Sequence, residues 1–469
     1  MGDMTRLTTL RPARYLARLM ANLLAIVAVM AMVSQPVAAQ GISILRDAET
    51  EELLQDMVDP LAESAGLGEG AVEVVLVNDN SINAFVAGGQ RIFVHSGLLN
   101  EADDAGEVQG VLAHELGHIT GGHINRFSEG AGNATRITLL SALLAAAAAL
   151  AGGGEAAMGV LAAGQQAAMG SFLSFSRTQE ASADAAGAQF LSDAGISGQG
   201  SLTFFQRLQN YEFRRGISQN QEREYGRTHP LSGNRIARLR EDYVVDPAWE
   251  TPTDPDLQRR FVRAKAKLYG YLAPPERVLI AFPTYLTDIP ARYARAYAYH
   301  KDARIDEALA EVDALIALEP DNPYFLELKG QVLLESGRVQ QALPPLREAT
   351  RLTGSNPLIA SILGHALIAT EDPANLDEAE RVLRAALGRD RENPFAWYQL
   401  SVVYGQRGDT ARARLASSEQ QVMAGNPQGA LMNASAAEQA LPTGSPDWIR
   451  AQDVQLQARA QLERLAERN

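Results

Sequence analysis

Residues 111–119 read VLAHELGHI, and His114-Glu115-Leu116-Gly117-His118 within them decides how the amino-terminal half is read. Val108, Leu112, Leu116 and Ile119 recur at helical spacing, so the stretch is expected to be a helix. Residues four apart on a helix lie about 40° apart around its axis, so both imidazoles can meet one metal ion from the same face. Neutral imidazoles suit zinc. Glu115, next to the first histidine, can act on water at the metal as a general base without being a ligand itself.

Zinc needs a third protein ligand. His123 is near in sequence, but on a continued helix it would point away from the His114/His118 face, so it is read as a supporting or surface residue. Glu180 is the better candidate. In RTQEASADAAG (177–187) Glu180 and Asp184 share one helical face, and the small residues around them permit close approach to the HELGH helix. Glu180 would close a His-His-Glu site with one position left for water, and Asp184 would orient a ligand imidazole, that of His114, through its other nitrogen.

Upstream, AVEVVLV (71–77) alternates as a strand, and NAFVAGGQRIFVHSGLL (83–99) reads as two strands around Gly88-Gly89. A helix is expected from Asn100, with an acidic first turn at Glu101, Asp103 and Asp104. Together HELGH, the downstream ExxxD at 180–184, the NAFVAGGQRIFVHSGLL segment and THPLSGNRI (228–236) resemble the zinc metallopeptidase family that includes the CAAX prenyl protease. The resemblance implies His114, His118 and Glu180 as ligands of one Zn2+ per chain and Glu115 as the base. It also implies that His229 lies near the metal, either filling the fourth position at rest or donating to the oxyanion during turnover. Asn83 is implied to position the substrate amide. The strand Gln90–His95 is expected to accept substrate backbone as an added strand, with His95 a strand residue rather than a ligand.

Composition narrows the rest. The 469 residues are 46% hydrophobic and include no cysteine, which removes disulfides, cysteine–zinc sites and thiol catalysis. With 42 basic against 56 acidic side chains the net charge is −14, the opposite of a phosphate-tracking protein, so no nucleic acid is expected. Four arginines in residues 1–19, the uncharged run Met20–Val33 and the small residues Val37 and Ala39 form a secretory signal, with cleavage before Gln40. The remaining chain has net charge −17 and fits a bacterial periplasm. Residues 137–170 carry one charge, Glu155; they read as a helical hairpin near the cleft, with possible peripheral membrane contact.

DPAWETPTDPD (246–256) reads as a connection between domains. Beyond it Asn-Pro recurs at 322–323, 356–357, 393–394 and 426–427, and Gly330 and Gly364 share one slot in that frame. EDPANLDEA (371–379) carries a three-residue insertion, and an earlier unit spans about 289–322. This resembles the tetratricopeptide repeat. The expected fold is mainly α: a signal peptide at 1–39, a zincin-like α+β metallopeptidase domain at 40–250, and an α-solenoid of tetratricopeptide repeats at 251–469. The implied function is a periplasmic endopeptidase that degrades unfolded or misassembled outer-membrane proteins and docks on β-barrel assembly machinery through its repeats. The alternative is a chaperone or scaffold acting mainly through the repeats, with latent proteolysis. A third reading, a zinc hydrolase of small esters or amides, fits less well with a strand beside the site.

Overall fold

The computed structural model describes residues 43–150, 154–214, 229 and 233–467; the expected signal peptide and its cleavage point lie outside them. Helix α1 (Ala48–Ser64) starts where the Asp47 carboxylate accepts from the Thr50 amide at 2.8 Å. Leu54, Met57, Val58 and Leu61 recur along one face of it and are fully buried. Three strands follow: β1 (Glu73–Val77), β2 (Ala84–Ala87) and β3 (Arg91–His95). Gly88 and Gly89 take φ of 64° and 100° between β2 and β3, so the double glycine makes the hairpin turn.

The sheet order is β1-β3-β2, with β3 parallel to β1 and antiparallel to β2. This corrects the expectation for Gln90–His95. A central strand has both rows of backbone groups already paired, so β3 cannot accept a further strand. The edges are β1, which bridges Ile44 at Val77, and β2. Strand β2 packs on the HELGH helix.

A short helix α2 (Ser96–Glu101) comes first, so helix begins four residues earlier than expected and breaks at Ala102. Helix α3 (Ala105–Thr120) is then capped by Asp104, whose carboxylate accepts from the Gly106 amide at 2.7 Å. Every residue from 105 to 118 is buried, which explains its apolar character all round. It lies among α1, β2, α5 (Gly154–Asp193) and α6 (Gln199–Arg214). Glycines and alanines set these distances: a Cβ at Gly117 would stand 2.5 Å from the Ala183 carbonyl oxygen, and one at Gly187 2.9 Å from that of Ala113.

Helix α3 ends at Gly121-Gly122, where Gly122 has φ of 62°, and α4 (His123–Leu150) begins at once. Helices α4 and α5 form the hairpin expected at 137–170. Helix α7 (Gly233–Val244) packs on α5 and α6.

The Pro-punctuated stretch at 246–256 is pinned down, with the Trp249 carbonyl accepting from Ser197 Oγ and Gln199 Nε2, each at 2.6 Å. Helix α8 (Pro255–Leu272) then places Phe261, Ala264 and Leu268 in the core that also holds Leu54, Ile92, Val111 and Phe205. The short α9 (Pro275–Ala281) leads into five helix pairs. These are α10/α11 (Ile289–Lys301, Ile305–Leu318), α12/α13 (Pro323–Glu335, Val339–Leu352), α14/α15 (Pro357–Ala369, Leu376–Arg389), α16/α17 (Pro394–Gln406, Thr410–Met423) and α18/α19 (Pro427–Ala440, Pro446–Glu467).

Each Asn-Pro is a helix start. Asn322, Asn356, Asn393 and Asn426 accept from the amides of Tyr324, Leu358, Ala396 and Gly429 at 2.9–3.1 Å, with proline in the first turn. Gly330 and Gly364 let the second helix of each pair approach, through Leu346 and Leu383. The insertion forms a 3-10 turn at Pro373–Asn375 between α14 and α15.

Candidate metal centre

Three separate pieces of chain build the site. Helix α3 supplies His114, Glu115 and His118, α5 supplies Glu180 and Asp184, and His229 arrives ahead of α7. All six are buried. Among the described residues, His114, His118, Glu180 and His229 are the group whose side chains could hold a metal ion.

The separations between donor atoms are informative. His114 Nε2 lies 3.2 Å from His118 Nε2, 3.3 Å from His229 Nδ1 and 3.4 Å from Glu180 Oε2. Glu180 Oε1 is 3.4 Å from His118 Nε2 and 3.2 Å from His229 Nδ1. Ligands at about 2.0–2.1 Å from a tetrahedral zinc stand apart by roughly 1.6 times that length, about 3.3–3.4 Å. The donor set therefore fits such an ion in both chemistry and spacing.

The far side of each imidazole is also held. Asp184 Oδ1 sits 3.0 Å from His114 Nδ1, and His123 Nδ1 lies 2.9 Å from His118 Nδ1. Each leaves Nε2 directed at the cluster, the arrangement by which outer partners fix a ligand tautomer. The expectation that His123 faces away assumed a continuous helix. The break at Gly121-Gly122 turns the chain instead and returns the His123 ring against His118.

Arg235, on α7, is the participant that sequence reading missed. Its Nε and Nη2 donate to Asp184 Oδ2 and Oδ1 at 2.7 and 2.8 Å, and Nη1 pairs with Glu180 Oε2 at 2.9 Å. The one signal for it was its place in THPLSGNRI, six residues after His229.

Burial and charge then tune the groups. Burial alone would push His114 down, but hydrogen bonds and attraction from Asp184 and Glu180 outweigh it and raise the group to about 10. His118 is pushed down by burial and by repulsion from His114 and His229. Burial works to raise Glu180, but its contacts with His114 and His229 hold it well below the usual carboxylate range. Glu115 is raised, chiefly by burial; its Oε1 has no hydrogen-bond partner and lies 3.5 Å from His229 Nε2.

The other site expectations fall on the sheet. Asn83 is buried just before β2, its carbonyl accepting from the His95 amide at 3.0 Å. His95 is a buried strand residue whose Nδ1 meets Ser81 Oγ at 2.8 Å. Pro230, Leu231 and Ser232, which follow His229 in THPLSGNRI, lie outside the described residues.

Residues 48–242, the span that contains all of these elements, match the model of peptidase family M48. The chain carries a family M48 metallopeptidase domain. The "Beta-barrel assembly-enhancing protease" of Escherichia coli K12 is 27% identical over 379 residues, 79% of this chain and 75% of that protein. Its Yersinia pestis namesake is 27% identical over 84% of this chain and 79% of its own length. "Metalloprotease LoiP" of Escherichia coli K12 is 32% identical over 35% of this chain and 60% of its own. Among solved structures, YrrB, described as a TPR protein with an unusual peptide-binding site, matches 37% of this chain and 91% of its own at 21% identity and a TM-score of 0.31. The helix pairs from α10 onward form a helical repeat region that follows the M48 domain.

Proposed function

We propose that the protein is a zinc endopeptidase of the periplasm that cleaves unfolded or misassembled outer-membrane proteins, with its repeats docking on β-barrel assembly machinery. The observation that carries the enzymatic part is the buried group of His114, His118, Glu180 and His229, whose donor atoms lie within 4.8 Å of one another, with Glu115 beside it. A role in β-barrel assembly is supported by the similarity to the beta-barrel assembly-enhancing proteases, and the periplasm by the secretory signal expected at 1–39. Among the described residues, no helix is long and apolar enough to cross a membrane.

In this reading His114, His118 and Glu180 would hold the ion, with His229 Nδ1 among the same donors. What zinc supplies at such a site is Lewis acidity and a lowered water pKa. Glu115 accepts a water proton at its unpartnered Oε1, and its raised affinity for protons suits it to return that proton to the leaving amine. Asp184 and His123 hold the two imidazoles in the tautomer that presents Nε2, and Arg235 holds both carboxylates of α5 in place. Substrate backbone adds to the β2 edge, which lies against α3, with Asn83 positioning its amide. The proposed division of labour assigns catalysis to 40–250 and docking to 251–469.

His229 bears on the second reading. Its Nδ1 stands among the donors while Nε2 faces Glu115, a placement that supports a resting state in which it keeps water from both. That favours a latent protease whose repeats act as a chaperone until His229 leaves. The test is metal content together with casein degradation, wild type against Glu115→Gln. Stoichiometric zinc with proteolysis reduced by orders of magnitude is expected in the variant. Equal proteolysis would remove Glu115 as the base, and a protein without zinc would remove the cofactor.

A further inference from the structure

The α4–α5 hairpin has its apolar side chains on the wrong side for a water-soluble helix pair. Where the two arms meet, the residues are small. A Cβ on Gly164 would fall 2.1 Å from the Ser141 Cβ, and Ala145 and Ala168, each one turn farther along its own helix, are buried. Outward stand Leu139, Leu140, Leu143 and Leu144 on α4 and Met158 and Met169 on α5, each 59–69% exposed. Small residues between helices and large apolar ones outside are the packing of helices whose solvent is lipid, where close backbone approach replaces the hydrophobic drive. Six large apolar side chains exposed on one hairpin also mark an interaction site rather than ordinary surface scatter.

Charge says which surface it meets. The chain has 56 acidic residues, yet Glu155 is the one acid from 137 to 176. Arg136 and Arg177 are exposed toward the root of the two arms, beyond the apolar stripes. Long cationic side chains at that position can reach lipid headgroups while the apolar stems stay along the helix. Among the described residues no helix has the length and apolarity to span, so the hairpin lies on one leaflet rather than crossing.

We propose that the α4–α5 hairpin is a membrane-docking element that beds its leucine and methionine faces in the interface of an anionic lipid leaflet, with Arg136 and Arg177 against the headgroups. The proposal does not depend on proteolysis. It places the element at one end of the helix whose other end carries Glu180 and Asp184.

The test is co-sedimentation with phosphatidylethanolamine vesicles containing phosphatidylglycerol, and with pure phosphatidylcholine vesicles. The protein is made without residues 1–39, whose own apolar run would obscure the result; Ile44–Asn469 form one compact unit apart from them. Binding to the anionic vesicles is expected, with loss in Leu140→Glu/Leu144→Glu at unchanged melting temperature. Arg136→Ala and Arg177→Ala should each weaken binding about fivefold, as for other basic residues at an anionic surface. No vesicle binding by the wild type overturns the proposal, as does equal binding by the double glutamate variant. Self-association that the double variant abolishes, without vesicle binding, would assign the face to a second copy. Casein binding lost in that variant, again without vesicle binding, would assign it to unfolded polypeptide.

Discussion

Asp184 touches His114 on one side and Arg235 on the other, so its carboxylate passes the position of α7 on to a ligand ring. Asp184→Asn keeps the shape and removes the charge; zinc affinity should fall roughly 10- to 100-fold, read by competition with a chromogenic chelator. Arg235→Ala is expected to act on the same measurement by releasing Glu180 and Asp184 together, with partial recovery in Arg235→Lys. His229 separates two roles. If it blocks the site, His229→Ala should raise casein degradation and self-cleavage at unchanged zinc; slower degradation would make it an oxyanion donor instead. At this scale HELGH and Glu180 were legible because helical spacing fixes which side chains share a face. Arg235 was not, since it depends on a contact between distant helices; His123 was read as a supporting or surface residue and does support His118, but through two glycines that end α3 and turn the ring back, which helical spacing did not show.

Helices α3 and α5 meet backbone to backbone, and that contact is what sets the distance from Glu180 to the two histidines. Gly117→Ala puts a Cβ 2.5 Å from the Ala183 carbonyl oxygen, which must move. A loss of about 1–3 kcal/mol in stability is expected, with weaker zinc binding in proportion to how far α5 is pushed aside. Urea unfolding and metal titration on the same preparation would show both. The run of alanines around Glu180 announced this closeness in the sequence, since nothing larger would fit. The sheet was less readable. Gly88-Gly89 located the hairpin, but strand order depends on β3 pairing with β1, residues 73–77, and no local pattern tells a central strand from an edge. Strand β2 is therefore where the substrate test belongs. Val86→Pro removes a backbone donor there and should slow casein cleavage with zinc retained.

Across the whole molecule, α1 and α8 join the M48 domain to the repeats through a buried ionic cluster. Arg263 Nε donates to Glu49 Oε1 at 2.5 Å, Tyr293 Oη to Glu49 Oε2 at 2.9 Å, and Lys267 Nζ lies 2.5 Å from Asp47 Oδ2. Glu327 of α12 is buried beside them; burial pushes it up to about 7, Lys267 pulls it down, and Asp47 and Glu49 add to the rise. A carboxyl raised in the folded state holds its proton there after the unfolded chain has lost its own. Stability should therefore fall as pH rises from the unfolded value near 4.5 to about 7, and level off above. Glu327→Gln should flatten that slope and stabilise the protein at about pH 8, measured by thermal unfolding. None of this was legible in the sequence, where DPAWETPTDPD read as a connection between domains; what pins that stretch, the Trp249 carbonyl on Ser197 and Gln199, comes from residues 52 and 50 positions away. The metal centre has a comparable reach. Its candidate donors include positions 114, 180 and 229, with a sequence separation of 49 for the last pair and 115 for the outermost. An ion gathered from points so far apart acts as a cross-link, closing long loops whose freedom returns when it is removed. The empty protein should then present loosened chain to neighbouring proteases, so that an enzyme made without its metal is the first to be destroyed.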